Sequence, residues 1–438
     1  MPLSIVHRDG VAVVAAGNPL RHVFHAERAA RRPPALAGIE PHPIRSAAVI
    51  GGGTMGTGIA AALLNAGLPL VLVERDEAAV ERALARLRAI FDGAVKRGRI
   101  SVRLAAERLA TVTGTTHYTA LAEADLIIEA VFEDLDVKRD VFRKLAADCR
   151  ADAILATNTS YLDPERIAAD IGSPERFLGL HFFGPAQVMK LLEIVPTQAT
   201  APEVLATGFA LARMLNKIPV RAGISDGFIG NRILKVMRAQ AERLLLGGAT
   251  PAAVDAAMRA FGLPMGPFEA QDLGGLDIAA FQRRAARARG ETAFAPVADR
   301  LSEIGRFGQK SGGGWYDYAP GDRTPRPSAT VARIIAEEAR ARPRSVWDEA
   351  SIADCIFWPM VNEATRILED GTALRASDID LVEIHGYGFP RWRGGLMHHA
   401  QAHGLHKVAE ALSALAEAGF ADPPCDPLLQ AAARGSFL

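Results

Sequence analysis

His181 and Glu193 stand in two short apolar runs, GLHFFGP from Gly179 and LLEIV from Leu191. An imidazole titrates near pH ~6.5, so it can take up and return a proton at working pH. A carboxylate beside it would orient the ring and stabilise the imidazolium. Such a pair suits removal of a hydroxyl proton while hydride leaves the same carbon. A strand-end histidine alone is more often structural, so the pair needs company. Asn158-Thr159-Ser160 follows another apolar run, and Asn231-Arg232 follows Gly227-Phe228-Ile229-Gly230. The first has a bland alternative as a helix N-cap leading into 164–170, the second as a hinge and cap.

The segment Gly51-Gly52-Gly53-Thr54-Met55-Gly56 places glycines at 51, 53 and 56. This is the G-x-G-x-x-G spacing that lets a backbone turn tightly and approach a pyrophosphate at a helix N-terminus. Glu74 ends the next apolar run about 20 residues on, where an acid can bind ribose hydroxyls. An acid there also repels a 2′-phosphate, which favours NAD over NADP, although neighbouring Arg75 tempers the preference.

These residues need a scaffold that ends several strands at one edge. Apolar runs at 47–50, 69–74, 109–113, 125–130 and 153–157 alternate with helical stretches, the pattern of parallel βαβ units in a doubly wound sheet. Runs at 177–183 and 190–195 flank a Gly184-Pro185 turn and predict an antiparallel hairpin at one side of the sheet, with 217–220 as a last strand. Residues 4–15 read as two short strands around Asp9-Gly10, 21–32 as a helix, and Pro33, Pro34, Pro41 and Pro43 as a linker. Beyond Ser225-Asp226-Gly227 the chain turns helical and repeats itself weakly. ERLL from Glu242, Val254-Asp255 and Gly262-Leu263-Pro264 return as TRIL from Thr365, Ile379-Asp380 and Gly388-Phe389-Pro390, with Gly305–Arg344 between the copies. The expected segments are 1–44 (preface and linker), 45–224 (sheet domain), 225–320 (first helical copy) and 321–438 (second).

The formal net charge of +0 argues against a nucleic-acid protein, which needs a basic face. Cys149, Cys355 and Cys425 are odd in number and scattered. They suggest neither a disulfide framework nor a metal site, and fit a reducing compartment. No apolar run reaches the ~18–20 residues of a membrane span. With no apolar leader at the front, the expectation is a soluble, cytoplasmic protein.

The motifs taken in order resemble the L-3-hydroxyacyl-CoA dehydrogenase family, most closely the dehydrogenase half of bifunctional and multifunctional fatty-acid β-oxidation enzymes. The matching stretches are VIGGGTMGTGIA from Val49, IIEAVFEDLDVK from Ile127, TNTSYL from Thr157, GLHFFGPAQVMKLLEIV from Gly179, DGFIGNR from Asp226, GLPMGPFEAQDLGGLD from Gly262 and GRFGQKSGGGWYDY from Gly305. The resemblance implies a Rossmann-type α/β domain followed by a duplicated all-α C-terminal domain, with NAD as cofactor and an acyl-CoA as substrate. His181 would be the general base with Glu193 as its partner, and Ser160 and Asn231 would hold the substrate oxygen. Gly51, Gly53, Thr54, Met55, Gly56, Glu74, Glu133, Lys138, Ser160 and Lys310 would line the cofactor. Arg97, with Lys96 and Arg99, would meet a CoA phosphate. For each lysine alone, plain surface charge is the commoner explanation, and the basic run around Arg97 equally suits a solvated helix end.

Gly184 departs from the family, which usually carries Asn there, and so removes a side chain near the nicotinamide. Residues 20–44 resemble the linker of the fused enzymes, and 4–19 resemble the first strands of an enoyl-CoA hydratase. The expectation is a fused enzyme whose hydratase is almost wholly deleted. A monomer is favoured over a dimer, because the second helical copy would cover the surface through which shorter members dimerise. Two alternatives stand: a dehydrogenase of a non-CoA hydroxy acid, and an NAD-binding protein without turnover.

Overall fold

A computed structural model of the chain describes residues 4–8, 11–15, 18–340 and 345–437. The turn expected at Asp9-Gly10 and residues 341–344 of the stretch between the copies lie outside them. The strands among the described residues are β1 (Ser4–Arg8), β2 (Val11–Ala15), β3 (Ala47–Ile50), β4 (Leu70–Val73), β5 (Val112–Thr115), β6 (Leu126–Glu129), β7 (Ile154–Thr157), β8 (Phe177–Phe182), β9 (Leu191–Pro196) and β10 (Ile218–Arg221). The run expected at 109–113 starts later, because Val102–Leu109 completes a helix capped by the Ser101 hydroxyl.

β1 and β2 pair with each other, and the other eight form one sheet in the order β10-β9-β8-β7-β6-β3-β4-β5. The ladders from β5 through to β8 are parallel, β8–β9 is antiparallel and β9–β10 parallel. The central strands β3, β6, β7 and β8 are buried at every position, which explains their continuous apolar runs: both faces of the sheet are covered. On one face Val49, Leu72, Ile128, Leu180 and Ile194 pack on the helices Thr54–Asn65, Glu77–Lys96 and Pro202–Met214. On the other, Ile50, Ile127 and Leu155 pack on Val141, Phe142 and Ile167. The chain winds β3-β4-β5 in one direction and β6-β7-β8 in the other. The reversal opens a crevice at the carboxyl ends of β3 and β6, the place where such sheets bind ligands.

Compactness divides the chain into two units that cut across its sequence order. The first comprises Met1–Asn231 with Asp370–Tyr387, the second Arg232–Glu369 with Gly388–Leu438. Residues 370–387 fall in the segment expected as the second helical copy, yet their helix Ala376–Tyr387 packs on β9, β10 and the helix Asn18–Arg31. The second unit is helical. Its long helix Glu349–Glu369 is packed by Pro251–Phe261, Leu396–His403, Leu405–Glu417 and Asp426–Arg434. Two buried acids brace it: Asp255 accepts from the amides of Phe268 and Glu269, and Asp272 from those of Trp315 and Tyr316.

Candidate active site

The glycine loop sits at the mouth of the crevice. Gly51 leaves β3 with φ 96°, and a Cβ there would lie 2.7 Å from the Ala130 carbonyl oxygen at the end of β6. Gly56 lies so close to Gly51 that a Cβ would come within 1.7 Å of the Gly51 oxygen. Gly53 differs: a Cβ there would meet nothing within 4 Å. Gly53 and Thr54 are exposed and Met55 is half-buried, and the helix Thr54–Asn65 opens with no side-chain cap. Its first amides therefore face outward, as a pyrophosphate requires.

Glu74, just past β4, accepts from the Gly52 amide at 2.8 Å, which joins the ribose acid to the glycine loop. Arg75 turns away to pair with Asp76 at 3.1 Å. The cation that tempered the preference for NAD is thus engaged elsewhere. An open glycine tip, free helix amides and an acid at the strand end together fit NAD.

The expected hairpin places His181 directly opposite Glu193 in the β8–β9 ladder. The His181 Nδ1 lies 2.7 Å from Glu193 Oε2, and the two residues are 3% and 0% exposed. Oε1 of Glu193 accepts from the amides of Gly230 at 3.0 Å and Ile229 at 3.3 Å. Those amides are aimed by an unusual backbone: Gly227 has φ 93° and Phe228 φ 51°. A bulky residue in the left-handed region is costly, by roughly 1–2 kcal/mol, and the fully buried Phe228 ring, 5.6 Å from the imidazole, anchors it there. Phe183 packs on the imidazole at 4.5 Å. With Nδ1 engaged, Nε2 is the nitrogen open to a substrate, since it has no bond among the described residues.

Asn158-Thr159-Ser160 forms a braced turn and caps no helix. The helix Pro164–Ala168 is capped by Asp163 instead. Asn158 Oδ1 accepts from the Phe182 amide at 2.8 Å, which ties this turn to the strand carrying His181. Glu133 accepts from the Thr159 hydroxyl at 2.6 Å and from the amides of Ser160 at 2.8 Å and Tyr161 at 3.0 Å. Burial pushes the Glu133 carboxyl up, but the Lys138 ammonium and these donors outweigh it and hold its pKa below the usual value.

Lys138 is not surface charge. It is 0% exposed, 2.7 Å from Glu129 and 3.4 Å from Glu133, so it acts on the site through those carboxylates. Glu129 in turn accepts from the Thr157 hydroxyl and the Val131 amide. Sequence reasoning passed over Glu129 and gave Asn158 no role of its own beside Ser160. The signal for Glu129 was an acid ending the apolar run LIIE. Lys217 was also missed: its ammonium donates to the carbonyls of Ala186 and Met189 and pins the loop that follows Gly184.

Asn231 ends the first segment of the first unit and Tyr387 the second, with Asn231 Oδ1 accepting from the Tyr387 hydroxyl at 3.0 Å. Gly184 is exposed, and a Cβ there would meet only Met55 Sδ at 3.4 Å, so the missing side chain leaves room. Lys96, Arg97 and Arg99 end the helix Glu77–Lys96 as exposed cations with no carboxylate partner among the described residues. Lys310 belongs to the second unit. It pairs with Asp277 at 2.6 Å and lines a cavity of about 650 Å³ with Gln309, Tyr318 and Arg323. Among the described residues no group of three His, Cys, Asp or Glu side chains could hold a metal ion, and no helix is long and apolar enough to cross a membrane.

Comparison with known proteins agrees with this arrangement. Residues 46–225 match the family described as 3-hydroxyacyl-CoA dehydrogenase, NAD binding domain, and 227–318 its C-terminal domain. The chain is 36% identical over 443 residues to the peroxisomal bifunctional enzyme of Cavia porcellus, covering 95% of this chain and 61% of that one. It is 35% identical over 405 residues to the peroxisomal fatty acid beta-oxidation multifunctional protein of Oryza sativa, covering 90% and 56%. The chain thus spans about three fifths of the length of the curated relatives it matches. Among solved structures, 3-hydroxybutyryl-CoA dehydrogenase from Escherichia coli superposes with TM-score 0.78 at 29% identity, over 90% of this chain and 99% of that one. The dehydrogenase part of multifunctional enzyme 1 from C. elegans superposes with TM-score 0.67 at 27% identity, over 94% and 97%. With both domains matched in order, a sheet that fits NAD and relatives along nearly its whole length, the chain belongs to the NAD-dependent 3-hydroxyacyl-CoA dehydrogenase family.

Proposed function

We propose that this chain oxidises (S)-3-hydroxyacyl-CoA to 3-ketoacyl-CoA, reversibly, in fatty-acid β-oxidation or related acyl-CoA metabolism, with His181 as general base. The observation that carries the reading is the 2.7 Å contact between His181 Nδ1 and Glu193, whose other oxygen is held by two backbone amides. A carboxylate fixed in this way keeps the proton on Nδ1 and leaves the Nε2 lone pair to accept another. Nε2 takes the 3-hydroxyl proton as the carbon–oxygen double bond forms, and Glu193 balances the resulting imidazolium. Bound NAD supplies the hydride acceptor. Gly51, Gly53, Thr54, Met55, Gly56 and Glu74 would hold its dinucleotide end, while Glu133 and Lys138 act from beneath by fixing the Ser160 turn. Ser160 and Asn231 would hold the substrate oxygen, Lys310 would reach the cofactor, and Arg97 with its basic neighbours would meet a phosphate of CoA.

The test is NADH oxidation at 340 nm with acetoacetyl-CoA and a longer 3-ketoacyl-CoA, comparing the native chain with His181→Gln. Loss of a general base should lower turnover by about 10²–10⁴-fold, with NADH binding retained. Absence of turnover with both substrates, despite NADH binding, would reject the acyl-CoA reading in favour of a non-CoA hydroxy acid or an NAD-binding protein without turnover.

A further inference from the structure

We infer that Tyr387, brought to the sheet by the second helical copy, is a positioning residue that fixes the side-chain amide of Asn231. The inference rests on the reading of Asn231 as a holder of the substrate oxygen. The Tyr387 hydroxyl donates to Asn231 Oδ1 at 3.0 Å, the one bond made by that side chain among the described residues. Spending Oδ1 on a phenol leaves the NH₂ group as the end that can face a substrate, and a hydroxyl or keto oxygen needs a donor. Without the phenol the amide could turn over and present oxygen to oxygen. The Tyr387 hydroxyl thus selects the productive orientation.

The surroundings are shaped to bring that ring in. Gly230 precedes Asn231, and a Cβ there would lie 2.6 Å from Tyr387 Cε2 and 2.8 Å from its hydroxyl, so the ring occupies space that only glycine leaves. Gly386 performs the same service one residue earlier, where a Cβ would come 2.7 Å from Leu191 Cδ2 on β9. Leu191 and Glu193 share a face of β9 by the alternation of a strand. The helix Ala376–Tyr387 therefore lies on the face that carries the acid–base pair. The Tyr387 ring also meets Phe183 edge-on at 5.7 Å, and Phe183 packs on His181. Two glycine-permitted contacts, a ring contact and a hydrogen bond converge on the residue beside the amides that hold Glu193.

The test is a double-mutant cycle of Tyr387→Phe and Asn231→Ala, with kcat and KM for acetoacetyl-CoA, NADH Kd by fluorescence and Tm for all four proteins. Phenylalanine keeps the ring and its packing and removes only the hydroxyl. Losing one hydrogen bond predicts a fall in kcat/KM of about 3- to 10-fold in the native background. No further fall is expected in the Asn231→Ala background, with NADH Kd unchanged throughout. Equal losses in both backgrounds, or none in the native one, would overturn the inference, because Tyr387 would then not act through Asn231. An Asn231→Ala protein as active as the native one would overturn the reading of Asn231 itself. That outcome is visible without the Tyr387 variant.

Discussion

Glu193→Gln tests the site more sharply than deletion of the carboxylate, because the surroundings dictate which way the new amide turns. Glu193 Oε1 faces two donors, the amides of Ile229 and Gly230, and Oε2 faces His181 Nδ1. If glutamine turns its NH₂ toward the two amides, two buried donors lose their acceptor, at a cost of roughly 2–6 kcal/mol. If it keeps its oxygen there, its NH₂ faces Nδ1, which must then accept, and the ring proton moves to Nε2. The first cost is the larger, so the second orientation wins. The variant should fold with Tm little changed, bind NADH normally and carry its histidine in the wrong tautomer. An amide in place of the acid that orients a catalytic histidine costs about 10⁴-fold in kcat in the serine-protease triad. A loss of about 10³–10⁴-fold is expected here, equivalent to about 4–5 kcal/mol at 1.36 kcal/mol per decade. Steady-state NADH oxidation with acetoacetyl-CoA measures it, and single-turnover traces show whether the loss lies in the chemical step. Activity within tenfold of the native protein would refute the argument that Glu193 sets the tautomer.

The glycine loop predicts a split between two alanine variants. Gly53→Ala, whose Cβ meets nothing in the protein, should leave Tm unchanged and weaken NADH binding in a fluorescence titration. Gly56→Ala, whose Cβ would strike the Gly51 oxygen at 1.7 Å, should lower Tm as well. Equal behaviour of the two would contradict the assignment of the open tip to the cofactor. A pH prediction follows from buried acids outside the acid–base pair. Burial pushes Glu242 and Glu383 up to about 8, against ordinary carboxyl values near 4.5. At neutral pH the folded chain holds protons there that the unfolded chain has released. The stabilisation is full below the unfolded pKa and is lost as pH rises through the folded one, at up to about 1.4 kcal/mol per pH unit for each group. The buried His399, pushed down to about 4, contributes little between pH 7 and 8, and Lys217, pushed down to about 8, opposes the trend as one group against two. Tm should therefore fall across that interval and fall less in Glu242→Gln, whereas a flat or rising native Tm would exclude this account.

The sequence exposed those parts of the site that obey local rules. Seven of the eight runs expected in the main sheet overlap their strands closely, because a strand covered on both faces must be continuously apolar. The glycine loop was visible because its backbone geometry tolerates few other residues. The facing of His181 and Glu193 followed from an antiparallel turn, although only the ladder shows that they stand directly opposite. Lys138 lay beyond local reasoning, since a lysine four residues into the helix Leu135–Asp148 has the spacing of surface charge. Only the fold shows it buried against Glu129 and Glu133. Tyr387 lay further still. The internal repeat was legible in Ile379-Asp380 and Gly388-Phe389-Pro390, but repeats suggest equivalent roles. Here Asp255 accepts from the first-turn amides of the helix Pro267–Gly274 while its counterpart in the repeat, Asp380, meets His22 at 2.8 Å on the sheet unit. Which neighbour a repeated helix chooses depends on the whole packing, to which its own residues contribute little.

Three buried or half-buried carboxylates divide the labour of this site, and their partners explain why only one is joined to a histidine. Glu129 holds the Val131 amide, Glu133 those of Ser160 and Tyr161, and Glu193 those of Ile229 and Gly230. Glu129 ends β6, Glu133 lies just beyond it and Glu193 stands within β9, and each binds backbone amides of a neighbouring segment. Glu129 and Glu133 share the Lys138 ammonium, so a fixed positive charge already offsets part of theirs before any substrate arrives. Among the described residues Glu193 has no lysine or arginine in that role. Its bonds go to two amides and the imidazole, and on the proposed function its negative charge is met by the proton that His181 takes up. Removing charge at Glu129 or Glu133 should therefore loosen the Ser160 turn, whereas removing it at Glu193 takes away the counter-charge for the imidazolium. The chemical distinction among the acids follows from where Lys138 lies.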